Sequence, residues 1–126
     1  MTRQEIIEEL AALKEPSRPI DQAIALLFKY RRETVTLPAG GATPAQIKVT
    51  WYDRNGEAVG IVPPFTSNLD AAKSLFDIAF PNGAGGFSFH NGYAQAQVGD
   101  GEPAKAFNAA TALCLATIKA AADLDT

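Results

Sequence analysis

Apolar residues recur along this chain in two rhythms: three to four residues apart in some stretches, two apart in those between them. The first rhythm opens the chain. Ile6, Leu10 and Leu13 fall on one side of a helix and Glu8 and Glu9 on the other. Thr2 followed by Glu5 forms a capping box at its start, and Glu15-Pro16 marks its stop. Ser17 caps a second helix, with Pro19 in its first turn and Ile20, Ala23, Ile24, Leu27 and Phe28 as its apolar stripe. Lys29-Tyr30-Arg31-Arg32 reads as the end of that helix, where cations meet the negative end of the dipole.

Period two then takes over. Glu33 to Leu37 is β-prone through Thr34, Val35 and Thr36, and Pro38 to Pro44 reads as loop, with residues 38–45 the expected mobile segment. Ile47 to Asp53 alternates as a half-buried strand that Arg54-Asn55-Gly56 turns back into Ala58-Val59-Gly60-Ile61-Val62. A two-residue turn would set Val49 and Trp51 on the face opposite Val59 and Ile61. A three-residue turn with Gly56 left-handed sets Trp51 against Val59 and Val49 against Ile61, and gathers the apolar side chains on one face. The second is the expected register.

Pro63-Pro64-Phe65-Thr66-Ser67 leads into a helix from about Asn68 to Ala79, with Leu69, Ala72, Leu75, Phe76 and Ala79 inward and Thr66, Ser67 and Asp70 forming a capping pattern. Pro81 to Gly86 breaks it. A second hairpin follows around Asn91-Gly92. Its two-residue turn sets Phe89 against Ala94 and Phe87 against Ala96 on a core face, and leaves Ser88, His90, Tyr93 and Gln95 on a polar one. Glu102-Pro103 is the expected start of a last helix reaching about Ala122, with Phe107, Ala110, Thr111, Cys114, Leu115, Ile118 and Ala121 on its buried side. The order αα-βββ-α-ββ-α makes the fold class α+β, helices packed on a mainly antiparallel sheet in an α/β sandwich, as one domain over residues 1–126.

Composition narrows the function. With 126 residues, 47% apolar and 20% charged, the chain buries a core without metals or disulfides. A net charge of -3 and a pI near 5.0 argue against nucleic acid and anionic membrane as partners. No run approaches the roughly 18 apolar residues of a membrane span, and the start carries no secretory signal pattern. An intracellular setting is therefore expected.

Few residues carry chemistry. His90 is the only histidine and Cys114 the only cysteine, so a metal site of nitrogen and sulfur ligands is not expected, and Cys114 belongs to the apolar side of its helix. No cofactor motif is present: Gly83-Ala84-Gly85-Gly86 leads to a strand, not to the helix that a phosphate loop requires. Three surfaces remain as ligand-binding candidates. Arg31 and Arg32 beside Tyr30, with Arg18 among the other cations of the first half, offer bidentate donors and a stacking ring. Thr66 and Ser67 stand where a helix N-terminus meets anions. His90 and Tyr93 form a polar, aromatic patch able to stack on or hydrogen-bond a ligand. Trp51, Tyr52, Phe65 and Tyr93 are the aromatic residues on which a homo-oligomer would be built.

Three segments together resemble the small bacteriophage proteins of the phage ABA sandwich domain family: Ser17 to Ala25, reading SRPIDQAIA, Pro64 to Ala72, reading PFTSNLDAA, and Ala110 to Ala120, reading ATALCLATIKA. The resemblance spans about Ser17 to Ala120. A Gly-Trp pair that similar sequences carry after the second helix stands here as Lys29-Tyr30, and the Pro38 to Pro44 loop stands as an insertion. The resemblance implies a phage or prophage gene, an α/β sandwich and expression in the cytoplasm of an infected bacterium, and attaches no reaction. With the lack of catalytic groups, it leads to the expectation of a non-enzymatic accessory protein that binds a small anionic molecule or a host protein. In its most concrete form this is a counter-defence protein that sequesters a nucleotide signal. A nucleic-acid module and a hydrolase using His90 with Asp53, Asp70 or Asp100 are the competing readings.

Overall fold

The computed structural model describes residues 1–121, so the expected helix end at Ala122 lies outside the described residues. Helix α1 (Arg3–Ala12) begins with the capping box its sequence encodes. Thr2 Oγ1 accepts from Glu5 N–H at 3.2 Å, and Glu5 Oε1 accepts from Thr2 N–H at 3.1 Å. Helix α2 (Arg18–Leu27) is capped by Ser17, whose Oγ accepts from Ile20 N–H at 3.3 Å, and it buries Ile20 and Ile24.

The end of α2 differs from the sequence reading. The helix stops at Leu27, and Lys29 takes a left-handed conformation at φ 66°. Tyr30 N–H bonds to Ala25 O at 2.9 Å and Lys29 N–H to Leu26 O at 3.2 Å, the two bonds of a Schellman motif. This reversal sends Arg31 and Arg32 into strand β1 (Arg31–Leu37), so they do not cap a helix dipole.

The strands form two antiparallel sheets of three, ordered β1-β2-β3 and β4-β5-β6. In the first, β1 pairs with β2 (Gln46–Tyr52) from Arg31↔Tyr52 to Leu37↔Gln46. Gly40 and Thr43 close the connecting loop by exchanging backbone bonds of 3.0 and 2.9 Å. The following turn has three residues, as expected: Gly56 is left-handed at φ 86°, and Asp53 N–H bonds to Glu57 O. A further register shift between Trp51 and Tyr52 then pairs Trp51 with Gly60 of β3 (Ala58–Gly60), correcting the expected Trp51–Val59 and Val49–Ile61 pairs. Trp51 alone of that apolar set is buried; Ile47 is 71% and Ile61 70% exposed, and Val49 and Val59 are also exposed. The first sheet is anchored at its base, where Arg18 donates to Val62 O at 2.6 Å and Arg54 donates to Ile78 O.

Asn68, not Thr66 or Ser67, caps α3 (Leu69–Ala79), its Oδ1 accepting from Ala71 N–H at 2.9 Å. In the second sheet, β4 (Gly85–His90) and β5 (Tyr93–Val98) pair as the sequence predicts, with Phe89↔Ala94, Phe87↔Ala96 and His90↔Tyr93. The burial differs, however. Ala94, Ala96 and Val98 are covered, whereas Phe87 and Phe89 are exposed, because β4 is an edge strand that lies beyond the helix covering β5.

The start of the last helix is also corrected. Residues Ala104–Ala106 form a third strand, β6, whose Ala104 and Ala106 are buried and whose Lys105 faces out; α4 (Ala109–Ala120) starts only after Asn108, which accepts from Thr111 N–H at 2.7 Å. Every residue from Ala110 to Ile118 is buried, so this stretch of α4 has no solvent face and forms the axis of the core, with α1 and α3 beside it and β5 and β6 against it. The small residues of α4 lie on a sheet face of alanines, 94, 96, 104 and 106, which permits a close approach. Arg3 secures the far end, donating to Ile118 O at 2.9 Å and Lys119 O at 2.7 Å. The fold is α+β, with helices on one face of the second sheet and its other face open.

Candidate ligand-binding surface

The Pro63–Asn68 stretch threads between α2 and α4, and its Thr66 is fully buried. Thr66 donates its hydroxyl to Asp21 Oδ1 at 2.8 Å and its backbone N–H to the same oxygen at 2.8 Å. Its hydroxyl oxygen accepts from Ser17 N–H at 2.9 Å, and its carbonyl accepts from Asn108 Nδ2 at 2.9 Å and Thr111 Oγ1 at 3.1 Å. Arg18 holds the other oxygen of Asp21 at 2.8 Å. These bonds join α2, the linker and the start of α4, and they give Arg18 and Thr66 structural partners inside the protein. Ser67 is exposed and bonds to Pro64 O at 3.4 Å.

Tyr30, Arg31 and Arg32 are not brought together on one surface. Tyr30 is buried, edge-on to Phe65 at 5.9 Å between ring centroids. Burial pushes its hydroxyl up to about 12, with Asp53 adding to the shift and Arg54 opposing it. Consecutive strand residues point to opposite faces, which separates Arg31 from Arg32. Arg31 pairs with Glu33 at 2.6 Å and lies over the Tyr52 ring at 5.0 Å, while Arg32 sits opposite Trp51.

His90 and Tyr93 do come together. Their rings stack at 4.6 Å with 7° between planes, and Ser88 Oγ lies 3.0 Å from His90 Nε2. On the far side of Tyr93, Lys105 Nζ sits 4.4 Å from the ring centroid. The row His90–Tyr93–Lys105 therefore crosses all three strands of the open face, one residue per strand. Gln95 lies between Ser88 and Lys105 in the same register. Next to the row is an open cleft of about 430 Å³, lined by Gly86, Ser88, Gln95, Gln97, Gly99 and Pro103 among others. Ser88 and Gln95 belong to both. The face offers one fixed cation, an imidazole, a hydroxyl and two amides around an aromatic ring, a donor set suited to an anionic ligand that also carries a ring.

Ser88, Gln95, Gln97 and Lys105 are additions to the sequence-based ligand candidates; the sequence placed Ser88 and Gln95 on this polar face without assigning them to a site. The alternation Ala104-Lys105-Ala106 was the signal for Lys105, hidden by a Glu102-Pro103 pair that resembles a helix start.

Among the described residues no three His, Cys, Asp or Glu side chains are grouped to hold a metal ion, and no helix is long and apolar enough to cross a membrane. Cys114 is buried with its thiol donating to Phe65 O at 3.4 Å, and burial raises its pKa. No protein-family model, curated protein or solved structure matches the chain.

Proposed function

We propose that this chain is a phage accessory protein that acts by binding without turnover, sequestering a small anionic ligand of nucleotide type on the open face of its second sheet. The observation that carries the reading is the His90–Tyr93–Lys105 row bordering the cleft of Ser88, Gln95 and Gln97. A base or ribose fits the amide-lined cleft, and a phosphate fits Lys105 and the imidazole at its rim. The phage origin and the counter-defence role rest on the resemblance of the Ser17, Pro64 and Ala110 segments to the phage ABA sandwich family.

The hydrogen-bonded Ser88–His90 pair is what a hydrolase would use. An activated serine also needs its imidazole oriented by a third group and a pocket for the oxyanion. Here the imidazole is stacked on Tyr93 on an exposed strand, which supports binding over catalysis.

The test is a thermal melt and a depletion assay with cyclic mononucleotides and dinucleotides. A raised melting temperature and stoichiometric removal of intact nucleotide from solution are expected, with both lost in Lys105→Ala. Absence of both for the whole panel defeats the reading, and release of a hydrolysed product would replace it with the enzyme.

A host protein as partner is the second reading, and the exposed Ile47 and Ile61 of the first sheet favour it. It predicts that a host protein co-purifying from infected cells is lost with Ile47→Glu and retained with Lys105→Ala; the converse pattern, or no such protein, counts against it.

A further inference from the structure

Among the described residues, strand β4 has no pairing partner on its outer edge, and it carries two exposed aromatic rings. Its ladder with β5 runs unbroken from Gly85↔Val98 to His90↔Tyr93, and Gly99 N–H continues it by bonding to Ala84 O at 2.7 Å. Residues 84, 86, 88 and 90 thus direct their backbone groups to β5, and alternation turns the N–H and C=O of Gly85, Phe87 and Phe89 outward. Natural sheets protect such an edge with Lys, Pro or a bulge. The sequence Gly85-Gly86-Phe87-Ser88-Phe89-His90 has none of these. Phe87 is 44% and Phe89 75% exposed, both on the helix side of the sheet. Beside them lies a groove of about 260 Å³ lined by Leu69, Phe76, Gly85, Phe87 and Leu113, with Asp70 and Lys73 also on its wall.

We propose that two copies of this chain pair β4 against β4, antiparallel, about a two-fold axis at Phe87. Symmetry and alternation fix the register. Outward-facing residues must meet outward-facing residues, and setting Phe87 opposite the partner's Phe87 engages 85, 87 and 89 of both copies. Phe89 then lies opposite the partner's Gly85. That glycine has no room for a side chain of its own, since a Cβ there would stand 2.8 Å from Gln97 O and 3.6 Å from the Phe76 ring of the same chain, and it forms part of the groove wall. An aromatic ring laid over a glycine on a neighbouring strand is a stabilising cross-strand pair. Each Phe89 thus meets the Phe76 ring that borders Gly85 in the other copy's groove. No charged residue of β4 faces its counterpart across the axis.

The exposed parts of the two rings remove about 250 Å² of aromatic surface per copy. Over both copies the rings contribute about 500 Å², to which the strand edges and groove walls add. The product is one six-stranded sheet with all helices on one side and the two polar faces side by side on the other. The pairing does not depend on the ligand-binding reading, and its test uses no ligand.

Sedimentation equilibrium of the full chain at about 100 μM should give twice the 13.3 kDa chain mass. Phe89→Lys should give the monomer mass with the circular dichroism and melting cooperativity of the parent, because the ring is mostly exposed within one copy. Phe87→Cys should oxidise to a disulfide-linked dimer, since facing residues in such a pair lie about 5.5 Å apart at Cα, while Ile47→Cys on the first sheet should not. A monomeric parent chain overturns the proposal. So does a dimeric Phe89→Lys chain, or a disulfide-linked dimer of the Ile47→Cys chain where the Phe87→Cys chain forms none.

Discussion

Thr66 presents both its hydroxyl and its backbone N–H to one oxygen of Asp21, at 2.8 Å each, deep in the core. With Arg18 on the other oxygen, the carboxylate ties the linker ahead of α3 to the start of α2. Thr66→Val keeps the shape and removes the hydroxyl, so Asp21 loses a charge-assisted bond and Ser17 N–H loses its acceptor. A loss of about 1.5–3 kcal/mol is expected in urea denaturation, with Thr66→Ser retaining most of the stability.

Lys29 occupies the left-handed position of a Schellman motif, where glycine carries no steric penalty. Lys29→Gly should raise stability by about 0.5–1 kcal/mol, read as a higher urea midpoint at unchanged slope. Lys29→Val should lower it.

Tyr30 gives a pH signature. Its pKa rises from the usual 10.0 to about 12, chiefly by burial. The unfolded chain therefore releases this proton first, so the contribution of Tyr30 to stability is complete below about pH 10 and declines as pH rises through 12. Denaturation midpoints between pH 9 and 12 should fall less steeply in Tyr30→Phe than in the parent chain. Equal slopes would remove the assignment.

Cys114 should be inert in the native state. Its thiol is fully buried and its pKa is raised by desolvation, with Asp21 as a smaller cause in the same direction, so little thiolate is available to a reagent. A disulfide reagent at pH 8 should label the chain only in denaturant; rapid native labelling would show that α4 is not packed as described.

The capping boxes, helix stripes and the Asn91-Gly92 register could be read from sequence because each depends on neighbours within a few residues. What escaped was coverage. Alternation placed Phe87 and Phe89 with Ala94 and Ala96 on one face, correctly, but whether a helix reaches over that face depends on where α4 lies. The same limit applies to Val49, Val59 and Ile61 on the first sheet. Local signals also competed: Glu102-Pro103 imitated a helix start and concealed β6, and with it Lys105. At Arg31-Arg32 a dipole argument suited the residues, but a left-handed Lys29 had already ended the helix. The candidate surface was half legible, through His90 and Tyr93, because their pairing follows from the turn alone.

The most direct measurement is an amide-resolved NMR titration of the full chain with the cyclic mononucleotide and dinucleotide panel. The proposed function predicts saturable shifts centred on Ser88, His90, Tyr93, Gln95, Gln97 and Lys105, absent in Lys105→Ala. Shifts centred instead on Arg31 and Arg32 or on Ser67, or a spectrum that no nucleotide moves, would contradict it.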